Sequence, residues 1–243
     1  INPSKHMLIL GGGFIGLEVA ASLRQRGIEV SLIEREPRIL NRVAVPVVAD
    51  FLKKTHLDNG VRIHCNATID YISKTSDQII LHSTTDQAYN GHELIVGAGS
   101  IPNIELAEQA GLQINNGIQV DEHNQTSHPD IYAIGDCCHQ FNKRYQTDLR
   151  LESIQNALDQ AKMLAAHLCG ETTLQQALPW FWSDQYNTKL QIAGIREQAD
   201  TQIIRSNSPH ATAFSVWHFK QGKLEAMDAI NSPQEFNIGK KLI

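Results

Sequence analysis

Apolar residues run unbroken through "HMLIL" (6–10), the pattern of a strand buried on both faces of a parallel sheet. Gly11 to Gly13 end the run. "FIGLEVAASLRQRG" (14–27) then spaces its apolar residues at the helical period, and Gly27 is placed to stop the helix. "EVSLIE" (29–34) is a second strand, so residues 6–34 form one β-α-β unit. "VPVVADFLKKTHLDNG" (45–60) predicts another helix, closed by Asn59-Gly60, and "VRIHC" (61–65) a third strand. Short alternating segments between 67 and 92, such as "ATIDYI" and "QIILHS", imply a small antiparallel layer inserted into the parallel fold. "ELIVGAG" (93–99) returns to the buried-strand pattern.

The pattern changes near Ile104. A short helix is followed by "GIQVD" and "IYAIGD" as strands, the second buried from Ile131 to Ile134, and then by a long helix, "SIQNALDQAKMLAAHLCG". Beyond Pro179, "WFWSDQY", "KLQIAGI", "TQIIRS", "AFSVWHF" and "KLEAMDAI" read as antiparallel strands. The fold class is therefore α/β, in three pieces. Residues 1–103 form a Rossmann-like domain, a parallel sheet with a small antiparallel insertion. Residues 104–178 form part of a second α/β domain. Residues 179–243 form an α+β domain with an antiparallel sheet. No internal repeat or low-complexity tract interrupts this reading.

Composition narrows the function classes. A net charge of -5 lacks the basic excess of a nucleic-acid binder. The most apolar stretch, Met7 to Leu17, is short, holds four glycines and runs into Glu18, so no membrane span is expected. The four cysteines, Cys65, Cys137, Cys138 and Cys169, show neither a CxxC pair nor zinc-ligand spacing, which fits reduced thiols in a cytoplasmic protein. No metal site is expected. The N-terminus resembles neither a signal nor a transit peptide.

"GGGFIG" satisfies G-x-G-x-x-G with Gly11, Gly13 and Gly16, after a strand and at the opening of a helix. Gly11 permits the tight turn, Gly13 lets a pyrophosphate approach the backbone, and Gly16 lets helix pack on strand. Phe14 and Ile15 complete the turn, whose helix N-terminus offers unpaired N–H groups to an anion. Glu34, at the end of the next strand, is placed to accept hydrogen bonds from ribose hydroxyls. A 2'-phosphate would meet a like charge there, which favours NADH; Arg35, one residue later, could instead serve NADPH. Gly97, Ala98 and Gly99 end the last parallel strand, where ligands collect in open α/β sheets. Asp136 follows the apolar run 131–134 and Gly135 and needs a hydrogen-bonding partner, either polyol hydroxyls or a local turn.

In this order, "GGGFIGLEVA", "GAGSIPN", "DIYAIGDC", "RLESIQNALDQA" and "PWFWSDQY" resemble the FAD-dependent NADH:ferredoxin and rubredoxin reductases. The likeness runs over essentially the whole chain. It implies hydride transfer from NADH to FAD, then single-electron transfer to a ferredoxin or rubredoxin serving an oxygenase or P450. It also implies that the FAD domain is interrupted by the NADH domain, so that the flavin's own glycine turn lies in a preceding segment. The chain is then expected to be a fragment, poorly soluble or self-associating alone and inactive alone. By the same resemblance Arg42 lies over the adenosine end, with a solvated side chain as the alternative. Glu18 lies near the nicotinamide, or else serves the N-terminal half of its helix. Asp136 grips the ribityl chain, and Glu152, Ser153 and Ile154 face the flavin. Trp182 lines the flavin–nicotinamide channel, and Trp180 serves the core. Lys143 and Arg144 could steer an acidic ferredoxin. No catalytic nucleophile is assigned, because the cofactors carry the chemistry. The alternatives are an NADH oxidase or CoA-disulfide reductase, and a non-enzymatic, nicotinamide-responsive flavoprotein.

Overall fold

The computed structural model describes residues 5–171, 176–206, 208 and 211–243. The chain divides into two units, Ile1–Ser100 with Ser183–Lys189, and Ile101–Trp182 with Leu190–Ile243.

In chain order the first unit contains β1 (His6–Leu10), α1 (Phe14–Gln25), β2 (Glu29–Ile33), α2 (Pro46–Asp58) and β3 (Arg62–His64). It continues with β4 (Ile69–Lys74), β5 (Ile79–Ser83), β6 (Ala88–Gly91) and β7 (Glu93–Val96). β3-β2-β1-β7 is a parallel sheet, and β4-β5-β6 an antiparallel one. The central strand β1 is covered on both faces, which is why its sequence is apolar without alternation. Leu8 packs with Ile33, Ala67 and Leu81. Ile9 faces the other way, against Gly16 of α1. Both side chains are fully buried, and burial of each is worth roughly 1.5–3 kcal/mol. Gly27 ends α1 in the left-handed conformation, φ +78°, its N–H bonded to Arg24 O at 2.9 Å. Pro46 opens α2 at a position where no amide donor is needed, and Asn59-Gly60 closes it.

The second unit contains α3 (Glu105–Gln109), β8 (Ile118–Val120), β9 (Cys138–Asn142), β10 (Thr147–Leu149) and α4 (Ile154–Leu168). There follow β11 (Trp180–Gln185) and β12 (Thr188–Gly194), whose segment Ser183–Lys189 counts with the first unit, then β13 (Thr201–Ser206), β14 (Phe214–Lys220), β15 (Lys223–Ile230) and α5 (Pro233–Leu242). The sheets are β10-β9-β8 and β11-β12-β15-β14-β13. Phe236 of α5 joins Ala193, Trp217, Met227 and Ala229 in the core of the larger sheet. α5, β9 and β10 were not foreseen in the sequence. Trp180 packs on this core, its ring 5.7 Å from Phe236 and 4.2 Å from the Lys240 ammonium. His218 and Asp228 form a buried pair across β14 and β15, 2.9 Å apart.

Two sequence expectations are corrected. β7, read as a buried strand, lies at the sheet edge, with Glu93, Leu94 and Ile95 half-buried and Val96 exposed. Residues 131–134 are neither a strand nor buried: Ile131, Tyr132 and Ala133 are half-buried and Ile134 is exposed. Their pairing is limited to one bridge, Gln125–Tyr132, flanked by Thr126 N to Ile131 O (2.9 Å) and Ala133 N to Asn124 O (3.0 Å). An apolar run becomes a buried strand only where neighbours cover it, and residues 124–126 supply too little. The strand of this region is β9, which starts after Asp136.

α4 shows the same thinness of cover. Gln160 is its only fully buried residue, while Ile154, Leu158 and Leu168 are half or more exposed. Among the described residues no helix is long and apolar enough to cross a membrane, and no group of three or more His, Cys, Asp or Glu is placed to hold a metal.

Candidate functional site

In the first unit β1 leads into the glycine turn. Gly11 has φ +114°, and a Cβ there would stand 2.3 Å from Gly97 O. At Gly16 a Cβ would stand 2.1 Å from Gly11 O, so α1 lies directly against the turn. Gly13 is the opposite case, with nothing within 4 Å of its missing Cβ. The backbone is therefore open at Gly13, followed by half-buried Phe14 and exposed Ile15. Gly13 itself caps α1 without a side-chain cap hydrogen bond, so the helix N-terminus opens toward the crevice, where it suits an anionic ligand.

Glu34 sits immediately after β2, against this turn. Its Oε2 accepts the Gly12 N–H at 2.5 Å and its Oε1 the Glu36 N–H at 2.8 Å. A carboxylate has about four acceptor sites, so both oxygens keep capacity for hydroxyl donors. The following loop is tied to the same turn by Leu40 N to Gly12 O, 2.9 Å. Arg38, which the sequence reading did not single out, braces that loop through Ala44 O and Asn41 O, each at 3.0 Å. Arg42 is exposed on it without an ion-pair partner among the described residues, whereas Arg35 pairs with Glu36 at 3.3 Å. Gly97 bonds Leu10 O at 2.8 Å, and Ala98 and Gly99 lie exposed beyond it. Gly11, Gly13, Gly16, Glu34 and Gly97 thus meet at the carboxyl ends of β1, β2 and β7, where the topology of an open α/β sheet leaves a crevice. These residues fit a dinucleotide: an open backbone at Gly13, a helix N-terminus and an acceptor beside them. Glu18, one turn into α1, accepts the Ser183 hydroxyl at 2.5 Å.

In the second unit Asp136 is exposed and its carboxylate has no partner among the described residues, which fits a polyol. Gly135 before it has φ +83°, and its N–H is held by Gln160 Oε1 at 2.7 Å. Arg150 reaches Asp136 O at 3.2 Å and pairs with the Glu152 carboxylate. It therefore joins the Asp136 turn to the start of α4. Glu152 is engaged by that arginine. Ser153 is the N-cap of α4, its Oγ accepting from Asn156 N at 3.1 Å. Ile154, at the first helical position, is exposed. Trp182 is partly exposed, its ring 5.6 Å from Trp180. Arg150 and Gln160 were missed in the sequence. The quoted string "RLESIQNALDQA" contains both, but their partners lie 14 and 25 residues away.

Other groups do not add to a site. Burial and the neighbouring Cys137 push the Cys138 thiol well up, away from nucleophilic use. Lys143 pairs with Glu122, and Arg144 donates to Ile243 O, so both basic residues are engaged.

Comparison with known proteins divides the chain between two family models. Residues 1–161 match the family described as pyridine nucleotide-disulphide oxidoreductase, and residues 180–243 one described as reductase C-terminal. The chain is 40% identical over 242 residues to putidaredoxin reductase of Pseudomonas putida, covering 98% of this chain and 57% of that protein. It is 36% identical over 234 residues to a rubredoxin-NAD(+) reductase of the same species, covering 95% of this chain and 60% of the other. The fold superposes on the reductase in a covalent putidaredoxin reductase–putidaredoxin complex with a TM-score of 0.93 and 38% identity, covering 98% of this chain and 58% of that one. The chain thus spans 57–60% of the length of these curated relatives.

Proposed function

The chain belongs to the pyridine nucleotide-disulphide oxidoreductase family, and from that premise we propose that it serves an FAD-dependent reductase passing electrons from NADH to a ferredoxin or rubredoxin that supplies an oxygenase or P450. The single observation carrying this reading is the pairing of the family match over 1–161 with the reductase C-terminal match over 180–243. Residues 1–103 are assigned to the nicotinamide nucleotide, 104–178 to the flavin, and 179–243 to the C-terminal reductase domain. A cytoplasmic location belongs to the same proposal, supported by four unpaired cysteines.

Bound flavin supplies the conversion of a two-electron donor into a one-electron donor. The protein's part is placement. Gly11, Gly13, Phe14, Ile15 and Gly16 receive the pyrophosphate on the open backbone at Gly13 and the N-terminus of α1. Glu34, already orienting Gly12, accepts the ribose hydroxyls and repels a 2'-phosphate, which selects NADH. Arg42 and residues 97–99 border the same crevice, and Glu18 is assigned to the nicotinamide end. Asp136 accepts the ribityl hydroxyls, while Arg150 keeps that turn beside Glu152, Ser153 and Ile154. Trp182 shields the flavin face.

The test is a visible spectrum of the protein as its gene encodes it, with the intact mass measured beside it, followed by NADH and a one-electron acceptor. Flavin bands bleached by NADH, with turnover on a ferredoxin or rubredoxin, are expected. Turnover with a disulfide but with neither iron protein would replace the reading by a CoA-disulfide reductase type. Slow bleaching without turnover would favour a non-enzymatic flavoprotein.

A further inference from the structure

The hydrogen bond from Ser183 to Glu18 is the end of a longer array within the first unit. Gln185 Nε2 donates to Ser183 Oγ at 3.0 Å, and His56 Nε2 lies 2.9 Å from Gln185 Oε1. The Tyr186 hydroxyl stands 3.4 Å from His56 Nδ1, with the two rings edge to face at 5.1 Å. Ser183, Gln185 and His56 are all essentially fully buried.

Counting protons gives the array a direction. The Glu18 carboxylate can only accept, so the single Ser183 proton must go to it. Ser183 is then left to accept, and the Gln185 amide nitrogen is the donor. That turns the amide oxygen toward His56, whose Nε2 must carry the ring proton, leaving Nδ1 bare for the Tyr186 hydroxyl. The opposite amide orientation would set Gln185 Oε1 against Ser183 and draw its proton away from Glu18. Burial lowers the His56 pKa, so the ring is neutral with one N–H, as this direction requires. Glu18 Oε1 is thereby pinned, while Oε2 has no partner among the described residues.

We propose that Ser183, Gln185 and His56 are positioning residues that hold one oxygen of Glu18 and present the other to an amide donor, the carboxamide of a bound nicotinamide. The proposal rests on the reading that Glu18 belongs to the nicotinamide end of the site. Plain anchoring of the hairpin tip would need no such polarity, and it would not distinguish one half of a dinucleotide from the other.

Dissociation constants for NADH and for ADP-ribose, which lacks the nicotinamide, separate these cases. They are measured on the protein as its gene encodes it, with Ser183→Ala, Gln185→Glu and Glu18→Gln. Ser183→Ala deletes the only donor to Glu18 among the described residues, and Gln185→Glu competes for its proton. Each is expected to weaken NADH by about three- to tenfold, the size of one ordinary hydrogen bond, and to leave ADP-ribose unchanged. Nitrogen NMR of His56 is expected to show the Nε2–H tautomer. If Glu18→Gln weakens NADH while Ser183→Ala and Gln185→Glu do not, the array is refuted and the assignment of Glu18 stands. If Glu18→Gln leaves NADH binding intact, the assignment of Glu18 falls and the inference with it. Equal weakening of both ligands, or an Nδ1–H tautomer, would reduce the array to anchoring.

Discussion

Two apolar runs of similar length, Met7–Leu10 and Ile131–Ile134, have opposite fates. The first forms the middle of a four-stranded parallel sheet, with Leu8 and Ile9 completely buried on opposite faces. The second runs beside residues 124–126, joined by one bridge, and leaves Ile134 38% exposed. Composition does not separate them. Cover does: β1 has β2 and β7 at its edges, α1 on one face and the β4-β5-β6 layer on the other. Among the described residues, 131–134 pair only with the irregular segment 124–126, and α4 in the same unit buries a glutamine more completely than its own isoleucine and leucines. The side chain that matters most at this second run is polar. Gln160 holds the Gly135 amide and so aims Asp136.

The largest effect should come from truncating each run. Leu8→Ala is expected to cost about 2–5 kcal/mol in urea unfolding, whereas Ile134→Ala should stay within about 0.5 kcal/mol. Equal losses would erase the distinction between the two runs.

A smaller contrast lies inside the glycine turn. Gly16→Ala forces a Cβ to 2.1 Å from Gly11 O and should destabilise by about 1–3 kcal/mol while abolishing NADH binding. Gly13→Ala meets nothing within 4 Å. It should leave the melting temperature unchanged yet weaken NADH by about tenfold, since the methyl occupies the approach of a charged, hydrogen-bonded group. A Gly13→Ala variant that binds NADH normally would remove the pyrophosphate from that face.

The smallest effect concerns pH. His6, His56 and His64, all in the first unit, have pKa values lowered chiefly by burial. Below about pH 6.5 the unfolded chain therefore binds more protons than the folded one. Their contribution to stability is complete above that pH and declines as pH falls through it. His56→Gln, which cannot take up a proton, should flatten part of the decline in a pH series of melting curves. An unchanged slope would mean that His56 is charged in the folded state.

Much of the site was legible because it is local. Gly11, Gly13 and Gly16 lie within six residues, and Glu34 follows at the end of the next strand, so strand, turn and helix bring them together without help from the rest of the chain. The same holds for Ser153, an N-cap whose acceptor role needs only Asn156. Arg42 and Trp182 are less legible, since exposure alone does not say what a side chain will meet. His56, Gln185 and Arg150 were read past because nothing in their neighbourhoods marks them.

The sequence by itself determined the β-α-β unit, its glycine turn, the antiparallel character of residues 180–230 and the family. The first three follow from periodicity and backbone sterics, which act over a few residues; the family rests on the resemblance of its motifs, taken in order. Only the tertiary structure decided that 131–134 would stay open and that Ser183 would reach Glu18, 165 residues away, with Gln185 bonding His56 across 129. Burial requires neighbours, and a directed hydrogen bond requires a partner at about 3 Å. Both depend on which distant segments fold against one another.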